Sequence, residues 1–396
     1  MLHQARDQWK RAEPTSAATW GLCPAEGVEV ELRTVRTLAP GLRHEWDELA
    51  QEASEPNCFT QSWFVAPSLT HLAPAGGVRL LLARRHDLLI GAGLFAVAPR
   101  YGRAPVRHVE NWRHPNSFLG TPLVRRGEEA AFWQAALAGL DRAPWASGFL
   151  HVTGLVEDGP VHRGLIAAAS GLGRGCPVVH RKRRPLLQTD LSPQAYFERN
   201  VGGKRRSEFR RLRKRLAELG PVEVRSLEAA DDVGPWCEEF LALEASGWKG
   251  ERGSALASSP DTAAFFRAVI QGAFAAGRLS FLRLDVGGQA VAMMSSLLDP
   301  PGAFGFKAAI DEGFARFSPG VLLQIDNLRI LERSDISWTD SCATENHPVS
   351  SLWSEWRPLV RVSVRLDGLT RRFCYGGVRL LEEGARLASR HVGARG

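Results

Sequence analysis

The chain has six cysteines in 396 residues, at positions 23, 58, 176, 237, 342 and 374, and none of them forms a C-x-x-C pair. No histidine–cysteine cluster has metal-ligand spacing either, so neither a zinc site, nor any other metal site, nor a disulfide framework is expected. Long apolar runs are also lacking. The start, Met1 to Lys10, contains no signal core, and the most apolar stretch, Leu80 to Val97, is broken by Arg84, Arg85, His86 and Asp87. A soluble cytoplasmic protein without a transmembrane segment is the expectation. Tyrosine is confined to Tyr101, Tyr196 and Tyr375, and lysine to Lys10, Lys182, Lys204, Lys214, Lys249 and Lys307. In a chain whose positive charge is otherwise arginine, a lysine beside a turn is a pointed observation.

What is present is a globular composition. Residues are 44% hydrophobic and 8% aromatic, enough apolar material for two packed cores at this length. The formal net charge of +7 suits an acidic ligand or surface without deciding for nucleic acid. The segment Lys204 to Leu219 concentrates that charge: Phe209, Leu212, Leu216 and Leu219 share one helical face, and the opposite face is densely basic. It reads either as a solvated helix bridging two domains or as a surface for a polyanion, an acidic lipid surface or tRNA.

Periodicity gives a mixed α/β order that repeats. After a loose tail over 1–24 come a strand (Val28 to Val35), two helices (Leu42 to Ala53, Trp63 to Leu72), strands over Val78 to Arg84, Leu89 to Val97 and near Val106 to Glu110, a helix (Glu128 to Ala143), a strand (Gly148 to Val152), a helix (Val161 to Leu172) and a strand (Val178 to Leu187). Beyond a connector helix at 200–219 the order returns: strand (Val222 to Ser226), helices (Val233 to Ala245, Asp261 to Ala276), three strands (Leu279 to Asp285, Gln289 to Leu298, Ala303 to Ile310), helix (Pro319 to Glu332), and strands Ile336 to Asp340 and Leu359 to Arg365. The hairpins Val78 to Val97 and Leu279 to Leu298, each directly after a helix pair, are the clearest echo, and a duplicated domain fits best. The division expected is 25–190, 191–366, and a basic helical tail at 367–396 broken by Gly376, Gly377 and Gly384.

The junction Phe317-Ser-Pro-Gly-Val321 carries the most pointed chemistry. Ser318 suits a helix cap and Pro319 the first helical position, and Val321, Leu322, Ile325, Leu328 and Leu331 follow as an apolar stripe. Open N–H groups at Gly320, Val321 and Leu322, with the helix dipole worth about 0.3–2 kcal/mol, would favour an anion. An ordinary capped helix is the plain alternative.

The second-half order, with Ser318-Pro-Gly320 directly after a three-stranded meander, resembles the GNAT acyltransferase fold. The pieces Ala242-Leu-Glu-Ala-Ser-Gly-Trp-Lys-Gly250, Phe306-Lys-Ala-Ala-Ile-Asp311, Asp340-Ser-Cys-Ala-Thr-Glu-Asn-His347 with Leu352-Trp353, and Asn111-Trp-Arg-His-Pro-Asn-Ser-Phe-Leu-Gly-Thr-Pro-Leu-Val124 in the first half, resemble tandem GNAT proteins of the CelD-like or FemAB-related group, associated with polysaccharide or cell-envelope synthesis. The resemblance spans about residues 28 to 365. It implies two tandem GNAT-like domains, the second catalytic and the first shaping an acceptor cleft, with acetyl-CoA or another acyl-CoA as co-substrate and an amine or hydroxyl of a sugar or envelope precursor as acceptor. Contact with membrane polysaccharide machinery would be peripheral.

The same resemblance assigns candidate roles. Glu244 is the first choice for base or amine binder, with Asp340 and His347 as further base candidates. Ser318, Gly320, Val321 and Leu322 would hold the cofactor. Trp248, Lys249 and Lys307 would bind substrate, the lysines through a carboxylate or phosphate. Ser350 and Ser351 stand where GNAT enzymes commonly place a thiolate-protonating tyrosine. Cys342 reads as an inert small hydrophobe. The usual pyrophosphate loop, Arg/Gln-x-x-Gly-x-Gly/Ala, is replaced here by Arg316-Phe-Ser-Pro-Gly320. Two alternatives stand beside this reading: an aminoacyl-tRNA-dependent transferase of FemAB type, with the basic helix holding the tRNA backbone but without the long helical hairpin some of that group have in the second half, and, given the missing loop, a catalytically degenerate scaffold of a polysaccharide synthase.

Overall fold

The computed structural model describes residues 18–20 and 27–393, with side chains described for 27–383. The strands are β1 (Ala18–Trp20), β2 (Val28–Val35), β3 (Val78–Arg85), β4 (Leu88–Ala98), β5 (His108–Asn111), β6 (Leu123–Val124), β7 (Phe149–Val156), β8 (Val178–Leu187), β9 (Val222–Ser226), β10 (Leu279–Val286), β11 (Gln289–Asp299), β12 (Gly302–Ile310), β13 (Trp338–Asp340) and β14 (Glu355–Arg365). The helices are α1 (Pro40–Gln51), α2 (Ser62–Leu72), α3 (Glu129–Arg142), α4 (Pro160–Gly171), α5 (Pro193–Asn200), α6 (Gly203–Ala217), α7 (Val233–Ser246), α8 (Trp248–Glu251), α9 (Pro260–Ala275), α10 (Pro319–Asp326) and α11 (Leu369–Gly393).

Thirteen of these strands run in one sheet ordered β1-β2-β3-β4-β5-β7-β14-β8-β13-β12-β11-β10-β9, and β6 pairs with β4 beside it. The duplication read in the sequence is visible as a mirrored strand order. In the first half β2 to β5 form an antiparallel meander and β7 joins β5 in parallel; in the second half β9 to β12 do the same and β13 joins β12 in parallel. The halves then exchange a strand. β8, the last strand of the first half, pairs with β13, while β14 pairs with β7, and the two exchanged strands pair with each other at the centre.

Helix packing reinforces the union. The aromatic core around Phe59, Phe64, Phe265, Phe304 and Phe306 draws side chains from both halves, with Phe64 edge-on to Phe265 at 5.5 Å between ring centres. α2 and α9 lie close enough that a Cβ on Gly272 would sit 2.9 Å from Trp63 Cβ. Among the described residues no helix is long and apolar enough to cross a membrane.

Several local expectations change. Ala18–Trp20 pairs with β2, so part of the supposed tail extends the sheet edge; the remainder of 1–24 apart from these three lies outside the described residues. The connector helix expected at 200–219 is α6, Gly203–Ala217, and a further short helix, α5, precedes it, with Val201 buried between the two. Phe209, Leu212 and Leu216 of α6 are buried as expected, but Leu219 is exposed beyond the helix end. The helix after Pro319 is α-helical only to Asp326 and continues as 3₁₀ over Asn327–Glu332. α11 runs unbroken through Gly376 and Gly377, since Tyr375 bonds the Ser363 carbonyl and Val378 is buried on either side of them.

Candidate functional site

β12 and β13 pair in parallel over only three positions, Gly302 with Trp338, Ala303 with Thr339 and Phe304 with Asp340. β12 then continues to Ile310 while the chain after β13 turns away, and the sheet opens. A cavity of about 420 Å³ lies in this opening, walled by Ala308 to Ile310 of β12, the start of α10, the end of α7 with α8, and His347, Pro348, Val349 and Leu352. Of the residues singled out in the sequence, Glu244, Trp248, Lys249, Ser318, Gly320, Val321 and His347 all line it.

Glu244 reaches the cavity because α7 buries Val233, Trp236, Cys237, Phe240, Leu241, Leu243 and Glu244 along one face. A carboxylate occupies a position where the 3.6-residue repeat calls for an apolar side chain. It is 4% exposed yet satisfied: Lys249 Nζ donates to Oε1 at 2.7 Å and the Leu256 backbone N–H to Oε2 at 2.7 Å. Lys249 also donates to the Ala308 carbonyl at 3.2 Å, tying α8 to β12. The break between α7 and α8 at Gly247 is what lets an i, i+5 pair meet. Trp248 forms a half-exposed wall, with the Arg252 guanidinium 5.2 Å from its ring centre. α8 packs so tightly on α7 that a Cβ on Gly250 would lie 1.8 Å from the Ala245 carbonyl oxygen. Gly250→Ala is therefore expected to displace Lys249 and Trp248, with loss of thermal stability in a melting experiment and weakened ligand binding.

The α10 entrance differs from the expectation. Ser318 is left-handed (φ 53°) and its side chain makes no capping bond. Its carbonyl instead accepts the N–H groups of Val321 at 3.0 Å and Leu322 at 3.1 Å, so these two are not open donors, and Leu322 is buried outside the cavity lining. Gly320, whose N–H precedes the first intrahelical bonds, remains the donor at the mouth. Just before the turn, the Arg316 and Arg215 guanidiniums lie 4.8 and 5.8 Å from the ring centre of buried Phe317. Sequence reasoning missed Gln324, one turn further on, whose Oε1 is buried without a hydrogen-bond partner and which lines the cavity. Its only signal was a polar residue beside the apolar stripe.

Other candidates move. His347 Nδ1 accepts the Val349 N–H at 3.2 Å, which places the proton of the neutral ring on Nε2. Burial and the nearby Lys249 charge hold its pKa below the usual 6.5. The ring is thus set as a hydrogen-bond donor, not as the base anticipated. Asp340 is fully buried away from the cavity, with Oδ2 3.5 Å from both Arg184 and Arg357 and Oδ1 accepting the Cys342 N–H at 2.8 Å. It is an ion-pair centre because it terminates β13 between β12 and β8. Ser350 Oγ donates to the Glu345 carbonyl at 2.5 Å and Ser351 Oγ to the Pro348 carbonyl at 2.6 Å, so both hydroxyl protons serve the turn and neither residue lines the cavity. Cys342 has its thiol pKa pushed well up by burial, in keeping with an inert side chain.

Lys307 points elsewhere. Its Nζ donates to Asn116 Oδ1 at 2.6 Å, on the first-half loop between β5 and β6. Burial lowers its pKa from 10.5 to about 8. Between those values the unfolded chain keeps a proton that the folded chain has lost, so stability rises with pH across that window. Urea unfolding at pH 7.5 and 10 should show this rise in the parent relative to Lys307→Met.

Residues 203–346 match the family model described as the acetyltransferase (GNAT) domain. A search of curated proteins gave no match. Among solved structures the chain is similar to FemX, at 10% identity with TM-score 0.52, covering 86% of this chain and 98% of that one. It is similar also to the C-terminal domain of a putative lysylphosphatidylglycerol synthetase from Agrobacterium fabrum, at 12% identity, TM-score 0.51, 86% of this chain and 96% of that one. L-PGS from Bacillus licheniformis aligns at 13% identity, TM-score 0.50, over 90% and 97%. At these identities the structural likeness speaks for the fold.

Proposed function

We propose that this GNAT-type N-acyltransferase moves an acyl group from an acyl-CoA thioester onto an amine or hydroxyl of a sugar-containing cell-envelope precursor, with the active site in the second half. The observation that carries the reading is the cavity at the divergence of β12 and β13, which joins the start of α10 to the Glu244–Lys249 pair. A thioester arm entering past Gly320 would run along the exposed edge of β12, and the unpaired Gln324 carbonyl would take one of its amide N–H groups.

In this reading Glu244 accepts a proton from the attacking amine or hydroxyl as the bond to the acyl carbon forms. The Lys249 ammonium, donating to Oε1, keeps the carboxylate oriented. The Nε2–H of His347 donates to the oxygen of the tetrahedral intermediate or to the departing thiolate sulfur, the part for which the chain offers no tyrosine: Tyr196 is committed to Glu355 and the Ser354 N–H, while Tyr101 and Tyr375 pack around Phe149. The envelope setting is supported by the polysaccharide-associated resemblance and by the named lysylphosphatidylglycerol synthetase among the fold neighbours. The test is release of free CoA thiol from acetyl-CoA in the presence of amino-sugar acceptors. Acceptor-dependent release is expected. Its absence with every amine and hydroxyl acceptor, despite acetyl-CoA binding, would contradict the proposal. Gln324→Leu should weaken acetyl-CoA binding by up to about tenfold, the loss of one hydrogen bond.

A further inference from the structure

The helix α11 docks with its polar side against the protein. Arg371 donates to the carbonyls of Asp141 at 2.7 Å, Ala143 at 3.1 Å and Ala146 at 2.7 Å, and the Tyr375 hydroxyl donates to the Ser363 carbonyl at 3.2 Å. Val378 is the aliphatic side chain buried there. The apolar stripe is on the other side. Leu369, Phe373 and Leu380, four and seven residues apart, fall within about 40° of one another around the helix, and Leu381 flanks them. Leu369, Phe373, Leu380 and Leu381 are 74%, 80%, 72% and 63% exposed. A surface helix ordinarily turns such a stripe to the core, so a stripe facing water marks a surface that something else covers.

Its neighbour is basic. The loop 99–107, between β4 and β5, adjoins the helix: the Tyr101 hydroxyl donates to the Glu382 carboxylate, and the Tyr101 and Tyr375 ring centres lie 5.2 and 5.7 Å from that of Phe149. The loop carries Arg100, Arg103 and Arg107 and no acidic residue. All three are exposed, and none has a carboxylate partner among the described residues. The nearby arginines of α11 are already engaged, Arg372 with Asp367 at 2.8 Å and Arg379 with Glu382 and Glu383. Beyond Glu383 the sequence adds Arg386, Arg390 and Arg395 and no acidic side chain. Positive charge is therefore in excess at this end of the first half.

We propose that α11 and the loop 99–107 seat the protein on an anionic lipid surface. Leu369, Phe373, Leu380 and Leu381 enter the boundary between headgroups and acyl chains, and Arg100, Arg103 and Arg107 meet lipid phosphates. An apolar helical stripe beside unpaired arginine is the chemistry by which a helix lies in a membrane interface. A second copy of the chain fits less well. The four side chains expose on the order of 500 Å², short of the roughly 800 Å² that each partner contributes to a stable interface. A coiled-coil seam through Phe373 and Leu380 would also place Gly376 and Glu383 at its remaining core positions. None of these residues lines the α10 cavity, and the inference does not depend on which group that cavity transfers.

The experiment is co-sedimentation of the full chain with phosphatidylcholine vesicles, with and without phosphatidylglycerol, at low and high salt. It compares the parent with a double variant, Phe373→Ser with Leu380→Ser, and a triple variant, Arg100→Ser with Arg103→Ser and Arg107→Ser. All five positions are exposed, so both variants should fold; melting temperatures check this. The parent should bind the phosphatidylglycerol vesicles, and more weakly at high salt. The double variant should lose about tenfold or more in vesicle affinity. The triple variant should lose roughly a hundredfold at low salt and much less at high salt. No binding of the parent to anionic vesicles, or equal binding by the parent and the folded double variant, overturns the inference. So does a parent dimer in sedimentation equilibrium that the double variant dissolves while vesicles go unbound, which would give the face to a second copy.

Discussion

Glu244→Gln should lower kcat for acyl transfer by roughly 10²- to 10⁴-fold, the range expected when a general base is removed, while acetyl-CoA still binds within a few-fold of the parent. The amide keeps the volume of the carboxylate but not its two acceptor oxygens. One of its two donors, the Lys249 ammonium or the Leu256 N–H, must then face an NH₂ group. That mismatch costs about 1–3 kcal/mol, and a melting temperature measured alongside the kinetics separates it from the catalytic effect. A kcat within threefold of the parent in folded Glu244→Gln would remove Glu244 from the chemistry. Under that result the Glu244–Lys249 pair would be only a clasp between α7, α8 and β12.

Asp340→Asn is expected to act on stability. The two guanidiniums that Asp340 neutralises have side chains only 5% and 11% exposed, and Arg357 is further fixed over the Trp338 ring at 4.2 Å. Removing the charge strands both cations at the junction of β8, β13 and β14, at a cost of about 3–5 kcal/mol, which for a chain of this size is a fall in Tm of roughly 4–6 °C. Activity per folded molecule, measured well below the melting transition, should be nearly unchanged. A hundredfold loss of kcat at unchanged Tm would restore Asp340 as a base.

The difference between these two carboxylates explains much of what was legible in the sequence. Element order, the duplicated hairpins and the turn-helix at Ser318 are local signals, set by two- and 3.6-residue repeats and by proline and glycine, and they locate the cavity walls. Glu244 and Lys249 are reached through the resemblance carried by Ala242 to Gly250, and the lysine also through its rarity in an arginine-rich chain. Which strand sits beside which is not local. Nothing in the periodicity of Val178 to Leu187 or Leu359 to Arg365 tells that these strands exchange halves, and that exchange is what encloses Asp340 between Arg184 and Arg357. Lys307 likewise found its partner, Asn116, 191 residues away in the other half. Hydroxyls and N–H groups were misjudged for a related reason: Ser350, Ser351, Val321 and Leu322 all sit in turns whose own carbonyls lie nearest, and those local bonds form before any ligand is present.

The central claim is that the opening between β12 and β13 receives an acyl-CoA past the start of α10. The direct measurement is calorimetric titration of acetyl-CoA into the parent and into Gly320→Trp, with deacylated tRNA as a comparison at two salt concentrations. Gly320 already lies against β12, where a Cβ would be 3.1 Å from Ile310 Cγ2, so an indole there fills the entrance. Micromolar-range binding to the parent, about −8 kcal/mol, that is lost in Gly320→Trp is the predicted result. No acetyl-CoA binding, together with salt-sensitive tRNA binding that Gly320→Trp leaves intact, would contradict the account and give the donor role to an aminoacyl-tRNA.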